Sequence, residues 1–264
     1  MDLKNHMLHR LTGRIVQIIA SLSLFIGVII FFKYIKWDIG IRFSYVPDIY
    51  SIIIELISIV TQADFYRNIV ISLSRVYCGF LFAMIVAIPI SVMIVESTKI
   101  KYLLYPIIEL IRPIPNVAWV PLSIILFKTV NGSILFITFI GAFFPILINS
   151  IEGMEHININ YIKIAKSFAV KGKEYILGVK LPAAAPNIFS GLLIGMSGSW
   201  LGVVVAEMIG GKSGIGYLTW VNYTMVDMAG VIVCMFVIGV LGATSSLLLR
   251  KLYQVLHFET EMEQ

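Results

Sequence analysis

An all-α membrane protein with several spans is the fold class that this sequence predicts, and three observations predict it. Of the 264 residues, 59% are hydrophobic and only 13% are charged, with a mean hydropathy of +0.93, whereas soluble domains carry about a quarter charged residues. Uncharged runs near the length that crosses a bilayer, about 20 residues at 1.5 Å each, recur along the chain. The surplus of 20 Lys and Arg over 15 Asp and Glu gathers on alternate connections between those runs. A disordered chain, a nucleic-acid module and an ordinary soluble enzyme are excluded as leading readings. Cys78 and Cys234 both lie inside apolar runs, so no disulfide framework or metal-ligand spacing exists and no cofactor is expected.

Six spans are expected in order. Ile15–Phe32 is uncharged and too long for a signal-peptide core, and no small-residue cleavage site comes after it, so it is expected to be retained as a first helix after a short tail, residues 1–14. Val76–Val95 is the second. Tyr102–Phe127 is the third, carrying Glu109 and Arg112 and interrupted by Pro106, Pro113, Pro115 and Pro121. Thr129–Ile151, Leu181–Ala206 and Met228–Leu249 complete the set, within one transmembrane domain, residues 15–250, and a second tail, 251–264.

With the N-terminus inside, the cytoplasmic segments hold twelve Lys and Arg and the outer segments six, which puts both termini in the cytoplasm. Pro47–Gln62 has helical periodicity, with Ile49, Ile53, Leu56, Ile57 and Val60 on one face and Asp48, Glu55 and Gln62 opposite. It reads as an interfacial helix or a re-entrant packing segment. In the long cytoplasmic connection, residues 155–180, Tyr161, Ile164, Ala165 and Phe168 obey the i, i+3, i+4, i+7 rule. After Gly172 a second short stretch carries Tyr175, Ile176 and Val179. Such a hairpin offers an apolar knob and lysines to a cytoplasmic partner, or else rests on anionic lipid.

Three segments carry a resemblance. From Lys163 the chain runs K-I-A-K-S-F-A-V-K-G-K-E-Y-I-L-G-V-K-L-P. It resembles the "EAA" loop of binding-protein-dependent ABC importer permeases, with Lys163 for the usual Glu, Ile164 for the first Ala and Ala169 for the Gly. Leu110–Phe127, L-I-R-P-I-P-N-V-A-W-V-P-L-S-I-I-L-F, is similar to a helix of the aliphatic sulfonate, taurine, nitrate and bicarbonate permease group. Trp200–Trp220 resembles the same group's "W…AAEM…GxSGLGYLIW" stretch. The resemblance covers roughly residues 45 to 255.

It implies a type I importer fold, a five-helix core preceded by one N-terminal helix, in a bacterial cytoplasmic (inner) membrane. It also implies cytoplasmic ATP-binding subunits, an extracytoplasmic substrate-binding protein and a second permease copy, usually in a homodimer. Tyr161, Ile164, Ala165, Phe168, Ala169, Lys171 and Gly172 are then the expected coupling surface toward the ATPase. The implied cargo is a small anion, with a vitamin or vitamin precursor as the alternative. A secondary transporter or channel is a more distant reading, because no internal repeat and no midplane carboxylate stand out. A membrane-embedded enzyme lacks any convergent acid, nucleophile or metal set, so no catalytic residue is expected.

Single residues sharpen these expectations. Gly211-Lys212-Ser213 mimics the end of a phosphate-binding loop, but Ala206 stands where its first Gly should be. Gly210–Tyr217 is expected to form an outer turn or re-entrant segment. Gly191, Gly195, Gly198 and Gly202 recur at spacings that bring helices close together in lipid. Glu109 and Arg112, three apart, can pair on one helix face. Alternatively Arg112, with Pro113, Pro115, Ser197 and Ser199, lines a path for an anion. Glu207 is expected to hold the Gly-rich turn, and Arg75 to snorkel at the entry of its span.

Overall fold

The computed structural model describes residues 47–261, with side chains as far as Val255, together with the isolated helical positions Ser23 and Gly27. Apart from those two positions, the expected first span and N-terminal tail lie outside the described residues. The chain divides into two units, Met1–Ser51 and Ile52–Gln264, and the second holds nearly all of the described residues. Every described element is helical: α1 (Ile49–Val60), α2 (Ala63–Glu96), α3 (Thr98–Ile111), a 3-10 turn (Asn116–Trp119), α4 (Val120–Leu126), α5 (Val130–Glu155), α6 (Ile159–Ser167), α7 (Gly172–Gly210), α8 (Ile215–Thr224) and α9 (Met228–Glu261).

Helices α2, α5, α7 and α9 are long and apolar enough to cross a membrane; with the broken pair α3–α4 the described residues hold up to five spans. The expected run Tyr102–Phe127 is therefore two helices, bent by 95° at their junction. Pro113 and Pro115 sit in the break: each lacks an N–H to continue a helix, and the backbone has left the helical region at Pro115 (φ −59, ψ 142), while Arg112 is still helical. Helix α2 begins well before Val76. Asp64 and Arg67 fall on its exposed side, where charge does not end a helix. Helix α7 likewise begins at Gly172 and runs through Leu181, with a π-helical stretch at Ile176–Lys180.

The core forms where α5 crosses α7. Ile137, Ala142, Ile146 and Leu147 of α5 and Met196 and Val203 of α7 are fully buried there with Val76, Ala83 and Ala87 of α2. Glycines set the approach. A Cβ at Gly198 would collide with the Gly141 carbonyl, and one at Gly202 would lie 3.0 Å from the Ile137 carbonyl oxygen. Gly191 and Gly195 likewise meet Pro145, Ile146 and Ala142 of α5. The glycine stripe is a packing surface, in keeping with its spacing.

In α1, Leu56 and Ile59 pack with Ile52 against Phe65, Ile69, Leu218 and Val233, while Ile53, Ile57 and Val60 stay exposed. The helix is thus apolar on two sides: of the expected apolar face, Leu56 packs inward while Ile49, Ile53, Ile57 and Val60 stay exposed. Glu55, partly buried and near Asp227, is held above the ordinary carboxylate range by burial first and by the Asp227 charge second. At one end of the bundle two ion pairs tie neighbouring helices together. Lys101 of α3 meets Glu155 of α5 at 2.5 Å, and Lys180 of α7 meets Glu96 of α2.

Candidate functional site

Helix α6, the turn after it and the first turns of α7 form the expected hairpin. Asn158 caps α6 by accepting from the Asn160 N–H at 2.9 Å. Its other end closes as a Schellman motif, with the Ala169 N–H donating to Lys166 O and the Val170 N–H to Ala165 O, both at 3.0 Å. The residue after such a cap must be left-handed, and Ala169 has φ +54. Glycine takes this conformation without steric cost and alanine does not. That is a physical reason for glycine at the corresponding place in an EAA loop, and the substitution leaves this turn strained. Gly172, at φ +61, lets the chain re-enter a helix after Lys171, which is exposed.

The expected stripe divides in two. Ala165 is 4% exposed and faces inward, whereas Phe168 is 79% exposed and Tyr161 and Ile164 also stand clear. These residues border an open groove of about 470 Å³ with Val170, Val179 and Pro182. Leu177, exposed on the same hairpin, escapes a reading by regular helical spacing because the π-helical stretch shifts its register.

A second cavity, about 490 Å³, lies between the α3–α4 break and the α5–α7 crossing. It brings Arg112 and Ser197 together and adds Asn116 and Asn149, which the sequence alone does not single out. Pro113 and Pro115 sit in the break but do not line the cavity. Ser199 is fully buried, donating to Thr138 O at 3.3 Å, and does not line it either. Glu109 and Arg112 form no ion pair among the described residues; both are exposed at the end of α3.

Elsewhere, a buried charge network holds the turn between α7 and α8. Arg75 is 7% exposed and Glu207 is 0% exposed, and they bond at 2.8 Å. Glu207 also accepts from the Ser72 hydroxyl and from the Gly216 N–H at 3.0 Å. Arg75 donates further to Ser213 O at 2.8 Å, to Ser213 Oγ and to Asn131 Oδ1. Ser72 accepts from the Ile215 N–H at 2.9 Å, and Asn68 accepts from the Gly214 N–H. Gly214, at φ +110 and pressed on the Glu207 carboxylate, leaves no room for a side chain. Glu207 therefore holds the Gly-rich turn, as its place in the sequence suggests. Arg75 does not snorkel; burial and a full set of acceptors fix it. Among the described residues no group of three or more His, Cys, Asp and Glu is placed to hold a metal.

Known proteins share this arrangement of sequence. The family described as "binding-protein-dependent transport system inner membrane component" matches residues 79–260. A putative ABC transporter permease of Methanocaldococcus jannaschii is 43% identical over 176 residues, 66% of this chain and 66% of that protein. The nitrate import permease NrtB of Leptolyngbya laminosa is 35% identical, covering 69% of this chain and 65% of its own length. The bicarbonate transport system permease CmpB of Synechococcus elongatus is 34% identical, covering 65% and 62%. In each case the aligned stretch is less than two thirds of the relative's length. Because the family match takes in most of the chain, including the hairpin, the cavity and the Glu207 turn, this protein belongs to the binding-protein-dependent transport system inner membrane components.

Proposed function

We propose that the chain is the membrane-spanning permease subunit of an ATP-driven importer, and that it carries a small anion of the nitrate, bicarbonate or sulfonate type. The relatives named for nitrate and bicarbonate favour an anion over a vitamin precursor. ATP is hydrolysed on separate cytoplasmic subunits, and a binding protein delivers the cargo from outside. A second copy of the permease completes the pathway. The hairpin lies in the cytoplasm with both termini, in agreement with the distribution of lysines and arginines. The turn held by Glu207 faces the other side.

The observation that carries this reading is the hairpin. A capped helix that leaves Tyr161, Ile164 and Phe168 exposed above an apolar groove suits a partner's surface. Closure of the ATPase pair pushes this knob, and α7, continuous from Gly172 to Gly210, carries the push to the opposite end of the bundle. Phe168→Asp tests the idea, because the side chain is largely exposed and supports no core contact. The variant should insert and keep its helicity, yet lose ATP-driven uptake and binding-protein-stimulated ATP hydrolysis in reconstituted vesicles. Uptake at the wild-type rate would refute it. An ATPase subunit that co-purifies with the tagged chain, and is lost from Phe168→Asp, would give the same answer by a second route.

A further inference from the structure

We infer that the cavity between the α3–α4 break and the α5–α7 crossing is a binding site for a monovalent oxyanion, built on Arg112, Asn116 and Asn149. It rests on the importer reading only for the expectation that an anion is carried. The site itself comes from geometry and charge.

Arg112 is the starting point. It lies in a broken apolar segment whose only other charge is Glu109, and an unpaired charge in such a segment is costly and by default marks a ligand path. The ion pairs among the described residues join Arg75 to Glu207, Lys101 to Glu155 and Lys180 to Glu96, and none engages Arg112. Glu109, the nearest acid in sequence, does not reach back to it. No Asp or Glu lines the cavity, so its only formal charge is the guanidinium.

The remaining polar groups suit an anion. Asn116 comes directly after Pro115, which turns the chain into the cavity, and its amide nitrogen sits 3.0 Å from where a Cβ on Gly141 would be. The missing side chain on Gly141 is what leaves the Asn116 amide room, and neither of its N–H groups has an acceptor among the described residues. Asn149 uses one N–H on Pro145 O at 2.8 Å and keeps the other. Ser197 donates to Leu193 O at 3.3 Å, which leaves its oxygen an acceptor rather than a donor toward an anion. Donors thus converge from three elements: Arg112 at the end of α3, Asn116 at the 3-10 turn and Asn149 on α5. A planar oxyanion takes the guanidinium fork through two oxygens and amide N–H groups through the third. Phe144 and Ile194 among the apolar lining offer no competing acceptor to these donors.

The test uses the purified full-length chain in detergent, with chloride as the NMR probe and nitrate as competitor. Wild type should broaden the chloride resonance, and nitrate should abolish the excess width. Arg112→Gln removes the positive charge and Asn116→Asp adds a negative one. Each should weaken nitrate competition about tenfold or more, as expected for losing a hydrogen bond to a charged group. Lys128→Gln, an exposed cation outside the cavity, should behave as wild type. Should Arg112→Gln fail to fold by circular dichroism, Arg112→Lys keeps the charge and should retain weakened competition. Nitrate-displaceable broadening that is absent in wild type, or unchanged in both cavity variants, overturns the site. Failure of the importer reading looks different: nitrate would still bind at Arg112, but no vesicle would accumulate it on adding ATP.

Discussion

Glu207→Gln is the substitution with the most calculable outcome. The side chain keeps its volume, so no cavity opens, but it loses its charge and one acceptor oxygen. Three donors aim at the carboxylate: the Ser72 hydroxyl, Arg75 Nη1 and the Gly216 N–H. The same Arg75 nitrogen also holds Ser213 through its carbonyl oxygen. With Gln in place, an amide N–H must face one of these donors, and the buried guanidinium has no counter-charge. Removing one partner of a buried pair costs about 3–5 kcal/mol. For a chain of this size that corresponds to a fall in Tm of about 10 °C. Thermal unfolding of the purified chain in detergent reads this directly. Trypsin reads the local part, because cleavage after the exposed Lys212 should accelerate once the Glu207 carboxylate no longer holds the turn through the Gly216 N–H. The double variant Arg75→Met/Glu207→Leu should recover part of the loss, since two apolar groups need no partners, but not all of it, because the Gly216 N–H and Asn131 stay unsatisfied. A Tm for Glu207→Gln within a degree or so of wild type would refute the reasoning.

Three other outcomes can be stated from the geometry. Ala169→Gly should stabilise the hairpin by about 1 kcal/mol by relieving the left-handed alanine, visible as slower amide exchange at Val170. Gly198→Ala should cost about 3 kcal/mol or more, since the added Cβ runs into the Gly141 carbonyl rather than a movable side chain, and expression of folded protein should drop sharply. Glu55→Gln should raise Tm slightly at neutral pH and have no effect in acid. The folded carboxyl is held above its ordinary range, so protonation favours the fold and ionisation as pH rises weakens it; a neutral amide removes that penalty. A variant whose Tm gains as much in acid as at neutral pH would contradict the assignment.

Much of this fold can be read from the chain because hydrocarbon allows little else: an uncharged run of about 20 residues must be a helix, and glycines spaced three and four apart along it, as at Gly191, Gly195, Gly198 and Gly202, mark a close crossing. The hairpin is legible from spacing, yet spacing puts Ala165 on the exposed stripe when it packs inward. A nine-residue helix has too few turns to say which edge of its apolar stripe is buried. Arg75 defeats the sequence for another reason. Its partner is 132 positions away, and helical periodicity is blind to that distance. The signal is still present, since Glu207 and Arg75 are opposite charges in apolar runs, and intramembrane charges pair. Glu109 and Arg112 show the reverse error: their helical spacing suggests a pair, and no ion pair joins them among the described residues. Asn116 and Asn149 carry no charge and sit among apolar residues, so only the folded chain brings them to Arg112.

The two ends of the bundle are fastened by the same chemistry in different surroundings. Arg75 and Glu207 have side chains 8% and 0% exposed, while Lys101 and Glu155 are 41% and 32% exposed, with Lys180 and Glu96 at 14% and 38%. Dissolved ions shield charges they can approach, over about 8 Å at physiological strength, and act little on those they cannot. Added salt therefore loosens the end beside the hairpin and leaves the Glu207 end as tight as before. The protein answers its ionic surroundings lopsidedly, softening where a partner would push and staying stiff where the turn is displayed.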